Sequence, residues 1–325
     1  MQTSIAKYLV KRLLLTIPVL ILAIIVNFII LHAAPGEPID YLIGDASVDQ
    51  VFVDRLRTDL GLDKPIYVQL WKYLIKVTSG DLGYSFVSGV PVLDLILERF
   101  PLTLLLMLSQ YFFSALFGIA LGVVSSRKPN SFLDNATTVF SLAGFAIPIF
   151  WLGQMLILIF GFYLDWFPLQ GMRNLRQMYT GYRYFLDVAY HMALPVLTLT
   201  LYNMALIVRL TRGSMLQVLV QDYITVARSK GLSERIILLK HALRNALLPV
   251  VTVIGMQFRV LLTGAVLTET VFAWPGLGRL TFDAIHARDY NLLMGMFIFT
   301  IALVIIGNLV TDFIYSIIDP RIRYK

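Results

Sequence analysis

Few residues in this sequence are placed to do chemistry. Four histidines, His32, His191, His241 and His286, stand far apart, and none sits in an H-E-x-x-H or other metal-ligand spacing. Cysteine is absent from all 325 residues, which removes disulfides, thiolate metal sites and a cysteine nucleophile. No G-x-x-x-x-G-K-[ST] phosphate loop occurs, so the chain cannot cradle a nucleotide in the P-loop manner, and no serine lies in a G-x-S-x-G elbow. Paired acids of the kind an intramembrane protease needs are also missing. There is thus no catalytic residue and no metal ligand to name. A different kind of polar residue remains: Gln110, Gln154, Asn203, Gln257, Arg259, Asn308 and Asp312 lie inside long apolar runs. Amides in such places join helices at about 1 kcal/mol each. Arg259 costs at least about 2.5 kcal/mol at mid-membrane unless it meets water, a partner or a solute. Arg259, Gln257 and Asn203 are therefore the candidate lining of a translocation path.

The runs that hold these residues require a bilayer. The chain is 58% hydrophobic and only 14% charged, and its mean hydropathy is +0.76, far above what a soluble surface tolerates. A helix needs about 20 mostly apolar residues to cross the hydrocarbon core. Six segments qualify, roughly 13–33, 102–125, 136–162, 192–211, 246–268 and 291–317. The first follows Lys7, Lys11 and Arg12 and is long for a signal peptide, so it reads as a retained anchor. The net charge of +7 does not point to nucleic acid, because the basic residues sit between apolar runs rather than in a stripe. Their placement sets orientation instead. With both termini inside, the inner flanks carry 14 Lys/Arg in 62 residues and the outer ones 11 in 116, which puts both termini in the cytoplasm.

The fold class expected is an all-α integral membrane protein with six transmembrane helices and a small extracytoplasmic subdomain between the first two. Residues 1–34 are the N-terminal cytoplasmic segment and first span. Residues 35–100, with turn signals at Pro35-Gly36, Gly61, Ser79-Gly80 and Gly89-Val90-Pro91, are the subdomain. Residues 101–325 are a five-helix core containing a long basic inner loop, 212–245. In that loop, helical spacing puts Met215, Leu219, Tyr223 and Val226 near one face, until Gly231 stands where a helix would end in a left-handed cap. Ser233 can then N-cap a second amphipathic helix bearing Ile236, Ile237, Leu238, Leu239 and Leu243. A basic helix, sharp turn and helix held under the membrane by two spans suit docking to another protein.

This loop resembles the coupling loop of ABC importer permeases, in the branch that includes dipeptide, oligopeptide and nickel permeases. Thr225-Val226-Ala227-Arg228-Ser229-Lys230-Gly231 stands in place of that family's Glu-Ala-Ala-x-x-x-Gly core, with Thr225 for the Glu. The resemblance extends through Ile17-Pro18, Pro35-Gly36-Glu37-Pro38, Leu60-Gly61-Leu62-Asp63-Lys64-Pro65, Gly80-Asp81-Leu82-Gly83, Pro148-Ile149-Phe150-Trp151-Leu152-Gly153, His241-Ala242-Leu243-Arg244-Asn245 and Glu269-Thr270-Val271-Phe272-Ala273-Trp274-Pro275-Gly276-Leu277-Gly278, so it covers nearly the whole chain. It implies a type I ABC importer permease fold in the cell (inner) membrane, and a subunit that is not itself an enzyme. It further implies four partners: a second homologous permease, two cytoplasmic ATPase subunits that bind ATP and Mg, and an extracytoplasmic solute-binding protein. Thr225, Val226, Ala227, Arg228, Lys230, Gly231 and Leu232 would couple to the ATPases. Glu269, Trp274, Pro275 and Gly276 would form an outer gate or a binding-protein contact; the plainer alternative there is a turn with an interfacial tryptophan. No cofactor is expected on this chain, and its remaining partner is membrane lipid.

Two other functions compete. A self-contained secondary transporter needs intramembrane acids for ion coupling and pseudo-symmetric halves, whereas this chain offers Asp312 alone, near an inner end. A membrane-anchored scaffold has no need of so many polar residues within spans. The resemblance covers peptides, nickel chelates, glutathione-like molecules and oligosaccharides, and does not choose among them.

Overall fold

The structure is a computed structural model that describes residues 5–33, 58, 63–261 and 265–318. Side chains are described there except at 5–16, 31, 145, 256, 258–261 and 310–318. Arg259 and Asp312 are therefore placed only as helical backbone, and residues 35–57, most of the first half of the expected subdomain, lie outside the described residues. The chain divides into two compact units, residues 1–102 with 276–325, and residues 103–275.

The first unit is built from α1 (Ile5–His32), α2 (Ile66–Thr78), the first turns of α3 (Val92–Ser126), and the last two helices, which bracket Arg288. Those two are numbered α11 (Leu277–His286) and α12 (Tyr290–Ile318) in chain order. α1 lies against α12, where Asn27 Nδ2 donates to the Met294 carbonyl at 3.3 Å. Val92, Ile96, Leu277, Ala284, Leu292, Leu293 and Met296 form the apolar core. Gly295 admits Val92 so closely that a Cβ there would overlap the Val92 Cγ1. The loop before α3 is fixed by one carboxylate. Asp289, buried at the start of α12, accepts from Ser85 Oγ at 2.5 Å, from the Phe86 and Val87 amides at 3.2 and 3.3 Å, and from the Leu292 amide at 3.1 Å. A buried charge is tolerable when it collects this many donors.

The second unit holds the rest of α3, then α4 (Phe132–Ala146), α5 (Ile149–Leu156) with a π-helical continuation (Ile157–Tyr163), α6 (Tyr182–Leu219), α7 (Asp222–Ser229), α8 (Glu234–Ile236) with a π-helical stretch (Ile237–Ala242), α9 (Leu243–Leu261) and α10 (Val266–Val271). Ser131 caps α4, its hydroxyl accepting from the Asp134 amide. Pro148 lacks an amide proton and holds Ile147 in extended backbone, so α4 stops and α5 starts again. Small residues let α3 and α6 nearly touch. A Cβ on Gly118 would stand 2.8 Å from the Ile207 side chain, and one on Gly122 2.5 Å from Thr211, the small-x-x-x-small packing of membrane helices.

Among the described residues, four helices are long and apolar enough to span a membrane, Val92–Ser126, Tyr182–Leu219, Glu234–Gly255 and Tyr290–Leu309. The expected third span is instead a bent pair, Phe132–Gly144 and Ile149–Tyr163, and the described apolar part of the first is Ile17–Ile30. Helices α3 and α6 outrun the expected second and fourth spans at both ends. The expected fifth span, drawn to residue 268, corresponds to α9 ending at Leu261 and a separate α10 beginning at Val266.

Candidate functional site

The loop between α6 and α9 is a helix, a left-handed turn and a second helix. α7 closes in a Schellman motif: the Gly231 amide donates to the Arg228 carbonyl at 2.9 Å and the Leu232 amide to the Ala227 carbonyl at 3.4 Å. Gly231 has φ of +73°, a conformation in which an L side chain costs about 1–2 kcal/mol. Ser233 occupies the N-cap position of the next helix, but only its carbonyl is used, accepting from Ile236 and Ile237; its hydroxyl makes no cap bond. Arg228 Nε donates to Glu234 Oε1 at 2.9 Å across the turn.

The buried face of this loop differs from the helical-spacing expectation. α6 stops at Leu219, and Val220 and Gln221 break the register. As a result Ile224 and Ala227 point inward, while Tyr223 and Val226 are exposed. Ile224 and Ala227 join Val123, Met215, Ile237, Leu238, Ala242 and Ala246 in one apolar cluster. This cluster ties the ends of α3, α6 and α9 to the loop. Ala227 is therefore small because its own chain packs around it, and it is unavailable to a partner. The outward face carries Val220, Tyr223, Val226, Leu232, Ile236 and Leu239, all exposed, beside exposed Thr225, Lys230 and Arg235. An apolar patch rimmed by polar residues marks an interaction surface. The neighbouring connection is joined to the same frame by a pair that sequence reasoning missed: Arg212 near the end of α6 grips buried Asp134 at the start of α4, Nη2 lying 2.8 Å from Oδ2 while Nε bonds Oδ1. A basic residue after one apolar run and an acid before another were the only signals.

Deeper in the second unit, an amide pair and a tyrosine hydroxyl connect three helices. Gln110 of α3 is fully buried; its Oε1 accepts from Asn203 Nδ2 of α6 at 3.2 Å and from Ser114 Oγ at 3.3 Å. Tyr111 donates its hydroxyl to the Gln257 carbonyl of α9 at 2.5 Å. Gln257 Oε1 and Gln110 Nε2 are buried without a hydrogen-bond partner among the described residues. Asn203 thus works first as a link between helices. Gln257 is left with an acceptor to offer, and Arg259 follows two residues later on the same helix, its side chain outside the described residues.

The stretch from Glu269 to Gly276 is a buried helix end. α10 closes in a second Schellman motif, with the Ala273 amide donating to Thr270 at 3.1 Å and the Trp274 amide to Glu269 at 2.8 Å. The left-handed position is held by Ala273 at φ of +50° rather than by glycine. Glu269 and Trp274 are both 0% exposed, and Glu269 Oε1 accepts from Thr103 Oγ1 at 2.9 Å. The cap folds both side chains inward, so Trp274 is not placed as an interfacial belt residue. Gly276 is the N-cap of α11, and Pro275 precedes it. The preceding connection seals the cap: the Gly171 amide donates to the Phe272 carbonyl at 2.8 Å. Phe272 also approaches Gly153, where a Cβ would stand 3.0 Å from its ring. Among the described residues no three His, Asp or Glu side chains converge on a metal-sized site.

Comparison with known proteins meets this geometry from another side. The family described as "Binding-protein-dependent transport system inner membrane component" matches residues 114–324, and its N-terminal counterpart matches residues 5–107. The chain is 42% identical over 320 residues to the oligopeptide transport system permease protein AppB of Bacillus subtilis, covering 98% of this chain and 100% of that one. It is 38% identical over 336 residues to the dipeptide transport system permease protein DppB of Escherichia coli, covering 98% and 99%. It is 40% identical over 319 residues to the glutathione transport system permease protein GsiC of E. coli, again covering 98% and 99%.

Proposed function

Because the chain belongs to the family of inner membrane components of binding-protein-dependent transport systems, we propose that it forms half of the translocation path of an ATP-driven importer for peptides or a similar small solute. It is a multi-pass membrane permease. In this reading it spans the membrane six times, by α1, α3, the bent α4–α5 pair, α6, the α8–α9 helix and α12, with both termini in the cytoplasm. ATP and Mg bind on two partner ATPase subunits. A second homologous permease completes the path, and an extracytoplasmic binding protein delivers the solute. Relatives named for oligopeptide, dipeptide and glutathione transport support a peptide-like solute.

The observation that carries the reading is the two-faced loop between α6 and α9. Its inner face, Ile224 and Ile237 above all, is buried against the ends of three long helices. Burial of each such side chain stabilises by about 1.5–3 kcal/mol. Its outer face leaves Tyr223, Val226, Leu232 and Ile236 exposed. A push on the outer face must therefore move α6 and α9 as well. Thr225, Val226, Arg228, Lys230, Gly231 and Leu232 meet the ATPase in this account, while Ala227 supports them from inside. Arg259, Gln257 and Asn203 line the path in this account, Asn203 being bonded to Gln110, and the capped turn from Glu269 through Trp274, Pro275 and Gly276 acts as the outer gate. Val226→Glu places a charge on the outer face without touching the buried one. It should leave the chain in the membrane and strip the ATPases from the purified complex. Retention of both ATPases at wild-type stoichiometry would rule out docking through this face.

A further inference from the structure

Helix α2 presents three different surfaces on one short cylinder. One side is seated on α1, where the Tyr73 ring lies 5.7 Å from that of Phe28. A second carries Tyr67, Trp71 and Ile75, spaced four residues apart so that they stack along one stripe, and they are 70%, 65% and 53% exposed. Lys72 and Lys76 stand beside that stripe, and Lys64 lies just before the helix. Lys64 is within hydrogen-bonding reach of Lys72, and with its charge it holds Lys72 below the usual lysine range, Asp63 opposing in part. Three exposed lysines between residues 64 and 76 give this end of the segment a positive charge that attracts anions.

The position of α2 along α1 identifies what covers the stripe. Phe28 is four residues before the end of α1 at His32, which is about 6 Å along the helix axis. Through Tyr73, α2 is therefore attached near the level at which α1 leaves the hydrocarbon. Tyrosine and tryptophan favour that depth because one end of each ring is apolar and the other polar, and lysines there reach lipid phosphates with their ammonium groups while their stems lie along apolar surface.

We propose that α2 lies in the headgroup layer of the bilayer leaflet reached by the C-terminal end of α1. Tyr67, Trp71 and Ile75 enter the acyl boundary, and Lys64, Lys72 and Lys76 hold the phosphates of anionic lipids. The leaflet is the outer one in the topology proposed above, but the inference needs only that α1 spans a bilayer. It gives the segment between the first two spans a lipid-anchored floor, so that this segment keeps its height above the membrane while other parts of an importer move.

The absence of native cysteine allows a direct test. Single cysteines at 67, 71, 75, 72 and 76, all on exposed side chains, are spin-labelled in the assembled complex in nanodiscs containing phosphatidylglycerol. Collision with dissolved oxygen is then compared with collision with a water-soluble nickel chelate. Labels at 67, 71 and 75 should favour oxygen several-fold over a label at exposed Leu175, while labels at 72 and 76 should remain nickel-accessible. Exchanging phosphatidylglycerol for phosphatidylcholine should raise nickel accessibility at 71. Nickel accessibility at 71 equal to that at 175 would overturn the proposal by placing the stripe in water. Protection of 71 from both reagents would overturn it in favour of a protein partner. Indifference to the lipid exchange would overturn the role of the lysines.

Discussion

Substitutions at Gly231 separate a backbone requirement from a packing requirement. Gly231 sits at φ of +73° in the Schellman cap of α7, and no atom lies within 4 Å of where its Cβ would be. Within this chain a side chain added there meets no neighbour, so the cost that the chain itself bears is conformational. For alanine that cost is about 1 kcal/mol, and for a β-branched valine about 2 kcal/mol or more. The alternative is to let the turn relax and forfeit the bonds from Gly231 to Arg228 and from Leu232 to Ala227, each worth about 0.5–1.5 kcal/mol net. Either way Gly231→Val should shift the turn equilibrium about 30-fold against its native form. Asparagine tolerates left-handed backbone, so the expected order of function is Gly, then Asn, then Ala, then Val. The assay is binding-protein-stimulated ATP hydrolysis by the reconstituted complex, with membrane insertion checked separately. Wild-type stimulation in Gly231→Val would refute the reasoning. So would an equal loss in the Asn and Val variants, because space rather than φ would then be decisive.

Other consequences of the geometry can be measured independently. Ala273→Gly relieves a left-handed alanine at the end of α10 and should stabilise the protein by about 1 kcal/mol in thermal unfolding, whereas no change would mean that the cap is not strained. Gly122→Ala forces a Cβ to within 2.5 Å of the Thr211 side chain and should cost about 1–3 kcal/mol; the same change at Gly213, which has open space, should cost far less. In intact cells an impermeant thiol reagent should label a cysteine at Leu175 and spare one at Lys230, and the reverse pattern would invert the proposed topology.

The apolar runs and the cap at Gly231 were legible because each follows from local chemistry, the length of apolar sequence and a residue without Cβ, whereas the break at Pro148 divides what reads as one apolar run. The inward face of α7 was not legible. A break of two residues at Val220 and Gln221 rotates every later side chain, so Ile224 and Ala227 replace Tyr223 and Val226 as the buried pair. The burial of Glu269 and Trp274 was not legible either, because the second Schellman cap that turns them inward is closed by an alanine rather than a glycine. The bonds of Asp289 to Ser85 and of Asp134 to Arg212 join residues 204 and 78 positions apart, a separation at which spacing carries no information. Gly118 and Gly122 were overlooked because glycine in an apolar run shows its use only when the facing helix is known.

The central claim is that this chain moves solute only when partner subunits hydrolyse ATP. The direct measurement is uptake of a labelled dipeptide or oligopeptide into proteoliposomes. The full complex is compared with a complex carrying a hydrolysis-deficient ATPase, and with this chain alone under an imposed proton or sodium gradient. The account predicts uptake by the full complex with binding protein and ATP, and none in the other two. Uptake by the isolated chain along an ion gradient, or uptake that survives loss of hydrolysis, would contradict it.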